Sequence, residues 1–350
     1  MISRRLLLSA TSLLVAQQPQ RKRLREWGIV CGQMPTGPLN SITDVQGVKV
    51  GHSTLIEGRN IRTGVTVILP REGNLFRDKV RAAVFVGNGF GKLMGSTQIN
   101  ELGEIESPIA LTATLNVARV ADALIDYMLD LPGNEKVRSI NVVVGETNDG
   151  GLNDIRARRV GKKEVFAAIQ SASAARVEEG AIGAGTGTIC FGWKGGIGSS
   201  SRIVGNWKLG VLVQTNFGGS LRVAGLDWPS GKVGPASGDG SVMVIIATDA
   251  PAEHRELQRL AERAMWGLGR VGSSGSNGSG DYAITFSTAR EGEAVKSDIL
   301  SPLLAAVIEA TEEAVLNSLF MAQTMEGNGI RVDALPAEKI VMEWKRKNSL

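Results

Sequence analysis

Three segments of this 350-residue chain carry apolar side chains on both faces of a would-be strand: 140–144 (INVVV), 209–213 (LGVLV) and 242–247 (VMVIIA). A strand covered on one face alternates apolar with polar residues, so a strand that does not alternate must be covered above and below. Such strands need a packed layer on each side, and the chain supplies helices to build one. Residues 115–131 place Leu115, Ala118, Ala121, Leu124, Ile125 and Met128 at helical spacing, and 163–175 is a second helix candidate. A third, 251–268, follows Asp249 as a capping residue, and a fourth, 302–322, lines up Leu303, Ala306, Val307, Ala310, Ala314, Val315 and Leu319. Further strands are expected at 64–69, 82–86 and 282–287. The sum is a layered α/β domain, with the strand order left open by periodicity alone.

The function classes that composition excludes are equally useful. Aromatics make up only 5 % of the chain, against 44 glycines, which leaves no stacking platforms for nucleic acid. The net charge of +4 comes from the start of the chain. Six of the 39 basic residues (Arg4, Arg5, Arg21, Lys22, Arg23 and Arg25) lie in the first 25 positions, leaving 33 against 35 acidic residues elsewhere. No basic face for nucleic acid is expected on such a body. Residues 1–20 pattern as an export signal, with Arg4-Arg5 before the short apolar run 6–16, as in twin-arginine leaders. A periplasmic protein without a membrane span is therefore expected, the alternative being a basic tail on a cytosolic protein. Residues 21–350 read as one catalytic domain.

The chain has two histidines, His52 and His254, and two cysteines, Cys31 and Cys190. That is too few for a His/Cys zinc site, and no cofactor or metal is expected. The cysteines read as two buried thiols. His254 falls on the polar face of its helix and His52 at the end of a strand-like run, so a Ser-His-Asp hydrolase is disfavoured as well. One connection stands apart. Residues 218–240 form a long Gly/Pro/Ser-rich loop between two strongly apolar strands, a length that is uncommon inside a compact domain without a function.

That loop ends at Asp239-Gly240-Ser241. A glycine before the serine permits backbone geometries in which the hydroxyl attacks its own preceding carbonyl. Opening of the resulting ester would give Ser241 both an Oγ nucleophile and a free α-amine. Such an amine titrates at roughly 8 and lower when desolvated, so it can serve as the base a histidine otherwise provides. Gly278-Ser279-Gly280-Asp281 offers a second hydroxyl and a carboxylate just ahead of another strand. If the two strands are neighbours, Ser279 and Asp281 can orient the nucleophile.

The chain resembles the L-aminopeptidase/D-esterase and β-aminopeptidase group of serine peptidases. The matching segments run from TDVQGVKVGH at 43–52 through GETNDGGLND at 145–154 and GAGTG at 183–187 to KGGIG at 194–198. Gly240-Ser241 with ATDAP at 247–251, and NGSGD at 277–281, complete the series. The resemblance implies a four-layer α-β-β-α sandwich of the N-terminal-nucleophile type. It implies a precursor cut into 21–240 and 241–350, with Ser241 as nucleophile, Ser279 and Asp281 as its accessory pair and Asn216 as an oxyanion donor. Glu146 matches an acidic position that holds the substrate's free amino group, and Asn148 stands where some members carry tyrosine or leucine near the substrate. The implied substrates are small peptides, amino-acyl amides or esters, and the implied assembly is a homo-oligomer of cleaved units.

The run Gly183-x-Gly185-x-Gly187 has no following Gly-Lys-Ser/Thr, so it speaks for close backbone packing over a phosphate cradle. An acyltransferase with the same kind of nucleophile, and an uncleaved exported binding protein, stay open as alternatives.

Overall fold

The runs that are apolar on both faces lie where two sheets and two helical layers meet. A computed structural model describes residues 20–234, 240–290, 295 and 297–348. The expected export signal, apart from Gln20, and Asp239 lie outside the described residues. In chain order the main strands are β1 (Lys49–Glu57), β2 (Ile61–Leu69), β3 (Val80–Gly89), β4 (Glu104–Ile105), β5 (Ile109–Ala113) and β6 (Val143–Thr147). They continue as β7 (Ile197–Val204), β8 (Trp207–Asn216), β9 (Ser241–Thr248) and β10 (Gly280–Ser287). The helices are α1 (Ser96–Leu102), α2 (Val117–Leu129), α3 (Lys162–Gln170), α4 (His254–Arg270), α5 (Ser297–Met321) and α6 (Ala337–Asn348).

One sheet has the order β1-β2-β5-β6 and the other β4-β3-β10-β9-β8-β7. Within these sheets only the β5–β6 and β9–β10 pairs are parallel. Helices α2 and α3 pack on the smaller sheet, α4 and α5 on the larger, and the sheets face each other. The four-layer α-β-β-α expectation holds.

Alternation along the central strands sorts the core. Val242, Val244 and Ile246 of β9 join the side chains of α4 and α5, while Met243, Ile245 and Ala247 point between the sheets. Val144 of β6 joins α2 and α3, and Val143 faces inward. A strand with two buried faces cannot alternate, which is the signature in the sequence. Helix α5 is held by a buried ion-pair network. Arg202 lies 3.1 Å from Glu309 and 2.8 Å from Glu313, and Arg25 lies 2.7 Å from Glu313. Buried charge is tolerated only when paired in this way. Arg25 and the buried Arg23, which pairs with Glu179 at 2.6 Å, are thus structural, in keeping with a domain that begins at residue 21.

Several boundaries move. The helix expected from residue 251 starts at His254, capped by Glu253. Asp249 instead accepts the Lys208 backbone N–H at 2.7 Å, tying β8 to the end of β9. The strand expected at 140–144 is shifted to Val143–Thr147, because Glu106 binds the Asn141 N–H and holds that stretch outside the ladder. The helix expected to reach residue 175 stops at Gln170, since Ser173 exchanges two backbone hydrogen bonds with Val50 of β1. Helix α5 begins ahead of Pro302, which sits inside it. Cys31 and Cys190 are separate buried thiols, and burial pushes Cys190 up to about 12.

Candidate active site

Strand alternation decides where Ser241 points. It has the parity of Met243 and Ile245, so its side chain faces the space between the sheets, at the very end of β9. Asn216 is its direct cross-strand partner on β8, and Gly280 its partner on β10. Across the gap, the Asn148 backbone N–H donates to Ser241 Oγ at 3.3 Å. These groups border a cavity of about 530 Å³, lined also by Glu146, Gly240, Phe90, Ile189 and Ile330. The serine itself is only 4 % exposed.

The carbonyl of Gly240 accepts the Gly280 backbone N–H at 3.2 Å. That N–H is therefore in place to stabilise negative charge on the oxygen of the Gly240–Ser241 bond. Gly240 is also a steric necessity. A Cβ there would lie 2.5 Å from Phe217 Cα and 2.6 Å from the Asn216 carbonyl oxygen, both backbone atoms of the adjoining chain. Gly240→Ala is expected to displace the Gly240 carbonyl and slow any cleavage at this bond by roughly 10²-fold. The half-time for appearance of two fragments on a denaturing gel measures it.

Ser279 Oγ donates to Asp281 Oδ1 at 2.6 Å, and both residues are buried. Burial raises the Asp281 carboxyl above its ordinary range, and the Ser279 bond pulls it partly back. With its proton committed to Asp281, Ser279 Oγ keeps its lone pairs for an N–H donor. Asp281 shares the face of Ala283, which belongs with α4 and α5, so this pair approaches the start of β9 from the side opposite Ser241 Oγ.

Asn216 Oδ1 accepts the Ile189 backbone N–H at 3.0 Å. This fixes the orientation of the carboxamide and leaves Nδ2 as a donor at the cavity wall. The Glu146 carboxylate accepts the Lys92 N–H at 3.0 Å, with Lys92 Nζ at 3.9 Å. Burial raises its pKa and Lys92 opposes that shift. Asn148 does not present its side-chain oxygen to the cavity alone, since Oδ1 caps the Gly150 N–H at 3.0 Å. Its backbone N–H, not its side chain, reaches Ser241 Oγ.

Residues 40–332 match the sequence profile of peptidase family S58. The chain belongs to that family. The β-peptidyl aminopeptidase BapA of Sphingosinicella microcystinivorans is 38 % identical over 376 aligned positions, spanning 94 % of this chain and 93 % of that protein. A solved β-aminopeptidase from Burkholderia sp. superposes with a TM-score of 0.87 at 39 % identity, covering 94 % of this chain and 99 % of that one. The L-aminopeptidase D-Ala-esterase/amidase of Ochrobactrum anthropi, described as a prototype for the serine aminopeptidases and a variant of the N-terminal-nucleophile hydrolase fold, gives 0.84 at 34 % identity, covering 93 % and 99 %. This chain is a serine aminopeptidase on that fold.

Ser241, Asn216, Glu146 and Asn148 border one cavity, and Ser279 and Asp281 flank Gly280, the strand partner of Ser241. The histidines stand away from that cavity. His52 Nδ1 meets Thr66 Oγ1 at 2.9 Å, and burial lowers its pKa to about 4, so it is neutral. His254, expected to be solvated, is half-buried and bonds the Ala82 carbonyl at 2.8 Å. The sequence reading missed Lys92, the Gly280 N–H and the apolar wall of Phe90, Ile189 and Ile330. The glycine cluster at 87–91 was the available signal for Phe90; a backbone N–H leaves none.

Proposed function

We propose that the enzyme cuts itself between Gly240 and Ser241 and then releases N-terminal residues from short peptides, amides or esters, with Ser241 as nucleophile. The observation that carries this reading is the pairing of a buried Ser241 Oγ with a Gly240 carbonyl already hydrogen-bonded to Gly280. In the precursor, Oγ attacks the Gly240 carbonyl carbon, the oxygen's charge falls on the Gly280 N–H, and the C–N bond breaks as the peptide nitrogen takes up the proton lost by Oγ and becomes the Ser241 amine. Water then opens the ester, leaving a Gly240 carboxylate.

In the cleaved enzyme the α-amine takes the Oγ proton as Oγ attacks the substrate carbonyl. Ser279 accepts a hydrogen bond from that amine, and Asp281 offsets the charge it acquires. Asn216 Nδ2 and the Asn148 N–H serve the substrate oxyanion. The protonated amine passes its proton to the leaving group, and water repeats the cycle on the acyl-enzyme.

Glu146 receives the substrate's ammonium group, which restricts attack to the first residue of a peptide. Similarity of 38–39 % to β-aminopeptidases supports β-residues among the substrates. The leader pattern at 1–20 supports export to the periplasm, and the family likeness supports a homo-oligomer of cleaved units.

A panel of amino-acyl anilides tests the substrate reading. Free-amine α- and β-aminoacyl anilides should turn over and their N-acetylated forms should not; equal turnover of the acetylated forms would reject an aminopeptidase site. Glu146→Gln should raise KM by roughly ten- to a hundredfold with little change in kcat, the cost of a charge-assisted bond made equally in ground and transition states. The sign with pH follows from the raised carboxyl. Binding needs the ionised form, so KM should climb as pH falls, starting at a higher pH than for an exposed glutamate, and the climb should vanish in Glu146→Gln.

A further inference from the structure

Lys194 is fully buried among the oxygens of the glycine-rich turn that precedes β7. Its Nζ donates to the carbonyls of Gly185 at 2.9 Å, Thr188 at 2.9 Å and Gly195 at 2.8 Å. Burial lowers its pKa to about 7 while Asp149 pulls it up. The three acceptors nevertheless match the three N–H bonds of an ammonium, whereas a neutral amine would turn a lone pair on one of them. The glycine run therefore contributes a carbonyl, that of Gly185, to a cluster of three that converges on a cation, the opposite polarity to a phosphate cradle. The packing needs glycine: a Cβ on Gly185 would lie 2.5 Å from the Ile197 backbone nitrogen.

The Thr188 carbonyl and the Ile189 N–H are two ends of one peptide unit. Lys194 holds the oxygen end, and Asn216 Oδ1 takes the nitrogen end at 3.0 Å. The Asn216 carboxamide is a second amide in series, with Nδ2 facing the cavity. Each hydrogen bond in such a chain polarises the next, so a cation at one end strengthens the donor at the other.

We propose that Lys194 is a positioning residue for catalysis, fixing and polarising the Asn216 donor through the Thr188–Ile189 peptide. The proposal rests on Asn216 being the oxyanion donor. Gly280 serves the Gly240 carbonyl, so self-cleavage should be little affected, and turnover is compared per cleaved chain, counted by intact mass.

The test is a double-mutant cycle of Lys194→Met with Asn216→Ala on a free-amine aminoacyl anilide, with thermal melting of each variant. Lys194→Met should lower kcat tenfold or more with KM within about twofold, and this factor should fall below about twofold in the Asn216→Ala background. The same factor in both backgrounds, or an unchanged kcat, overturns the role of Lys194 alone. Full kcat in Asn216→Ala by itself sinks the oxyanion assignment, and the Lys194 proposal with it. Lys194→Gln keeps two N–H donors without the charge and carries the cycle if the methionine variant does not fold. Should neither fold, the lysine is a folding requirement and the proposal fails.

Discussion

Ser241→Ala should leave the chain in one piece and abolish peptidase activity, a loss on the scale of roughly 10⁶-fold seen when a serine nucleophile is removed. Alanine keeps the Cβ at the head of β9 and disturbs none of the packing from Val242 to Thr248, all of it buried. The thermal midpoint should therefore stay close to that of the uncut precursor. Loss of cutting and loss of turnover are expected together because one oxygen performs both attacks. A variant that lost turnover but still split at this bond would separate the two roles and require another group to attack Gly240.

Asn216→Asp is expected to produce the next largest effect, a fall in kcat of about 10²- to 10³-fold or more with a modest change in KM. The substitution is nearly isosteric and retains an oxygen for the Ile189 N–H, so the wall of the cavity keeps its shape. What changes is the group turned to the substrate, from an N–H donor to a carboxyl oxygen. When ionised, that oxygen repels the developing oxyanion. Self-cleavage should be much less affected, since the Gly240 carbonyl has its own donor in the Gly280 N–H. Rates of fragment appearance and of anilide hydrolysis, measured on the same preparation, separate the two steps. Equal losses in both would mean that Asn216, not Gly280, serves the precursor carbonyl.

The layering was legible because a strand buried on both faces cannot hide its composition: Val242–Ala247 and its neighbours announce two covered faces wherever they pair. The position of Ser241 was legible for the same reason, being the first residue of such a strand after a long glycine-proline loop. Alternation also gave its direction once Met243 and Ile245 were known to lie between the sheets. Asn216 could not be found by pattern. It sits opposite Ser241 through strand pairing, which periodicity does not specify, and only the resemblance pointed to it.

Other parts of the site were invisible for physical reasons. The Gly280 and Asn148 N–H groups belong to the backbone, where residue identity carries no mark of their use. Lys194 looks like an ordinary solvated lysine until the fold surrounds it with three carbonyls. The helix boundary near Pro251 was misplaced because Asp249 has a competing tertiary partner in the Lys208 N–H, which local capping rules do not see. Asn148 lines the cavity, as its expected place near the substrate requires, but its N–H bond to Ser241 Oγ and its Oδ1 bond to the adjoining turn carry no mark in the sequence.

The central claim is that the Gly240–Ser241 bond is the one broken and that Ser241 is the nucleophile it exposes. Intact mass combined with N-terminal sequencing of the purified wild-type protein tests it directly. The account predicts two fragments, one ending at Gly240 and the other beginning Ser-Val-Met-Val. A single uncut chain with full aminopeptidase activity would contradict it.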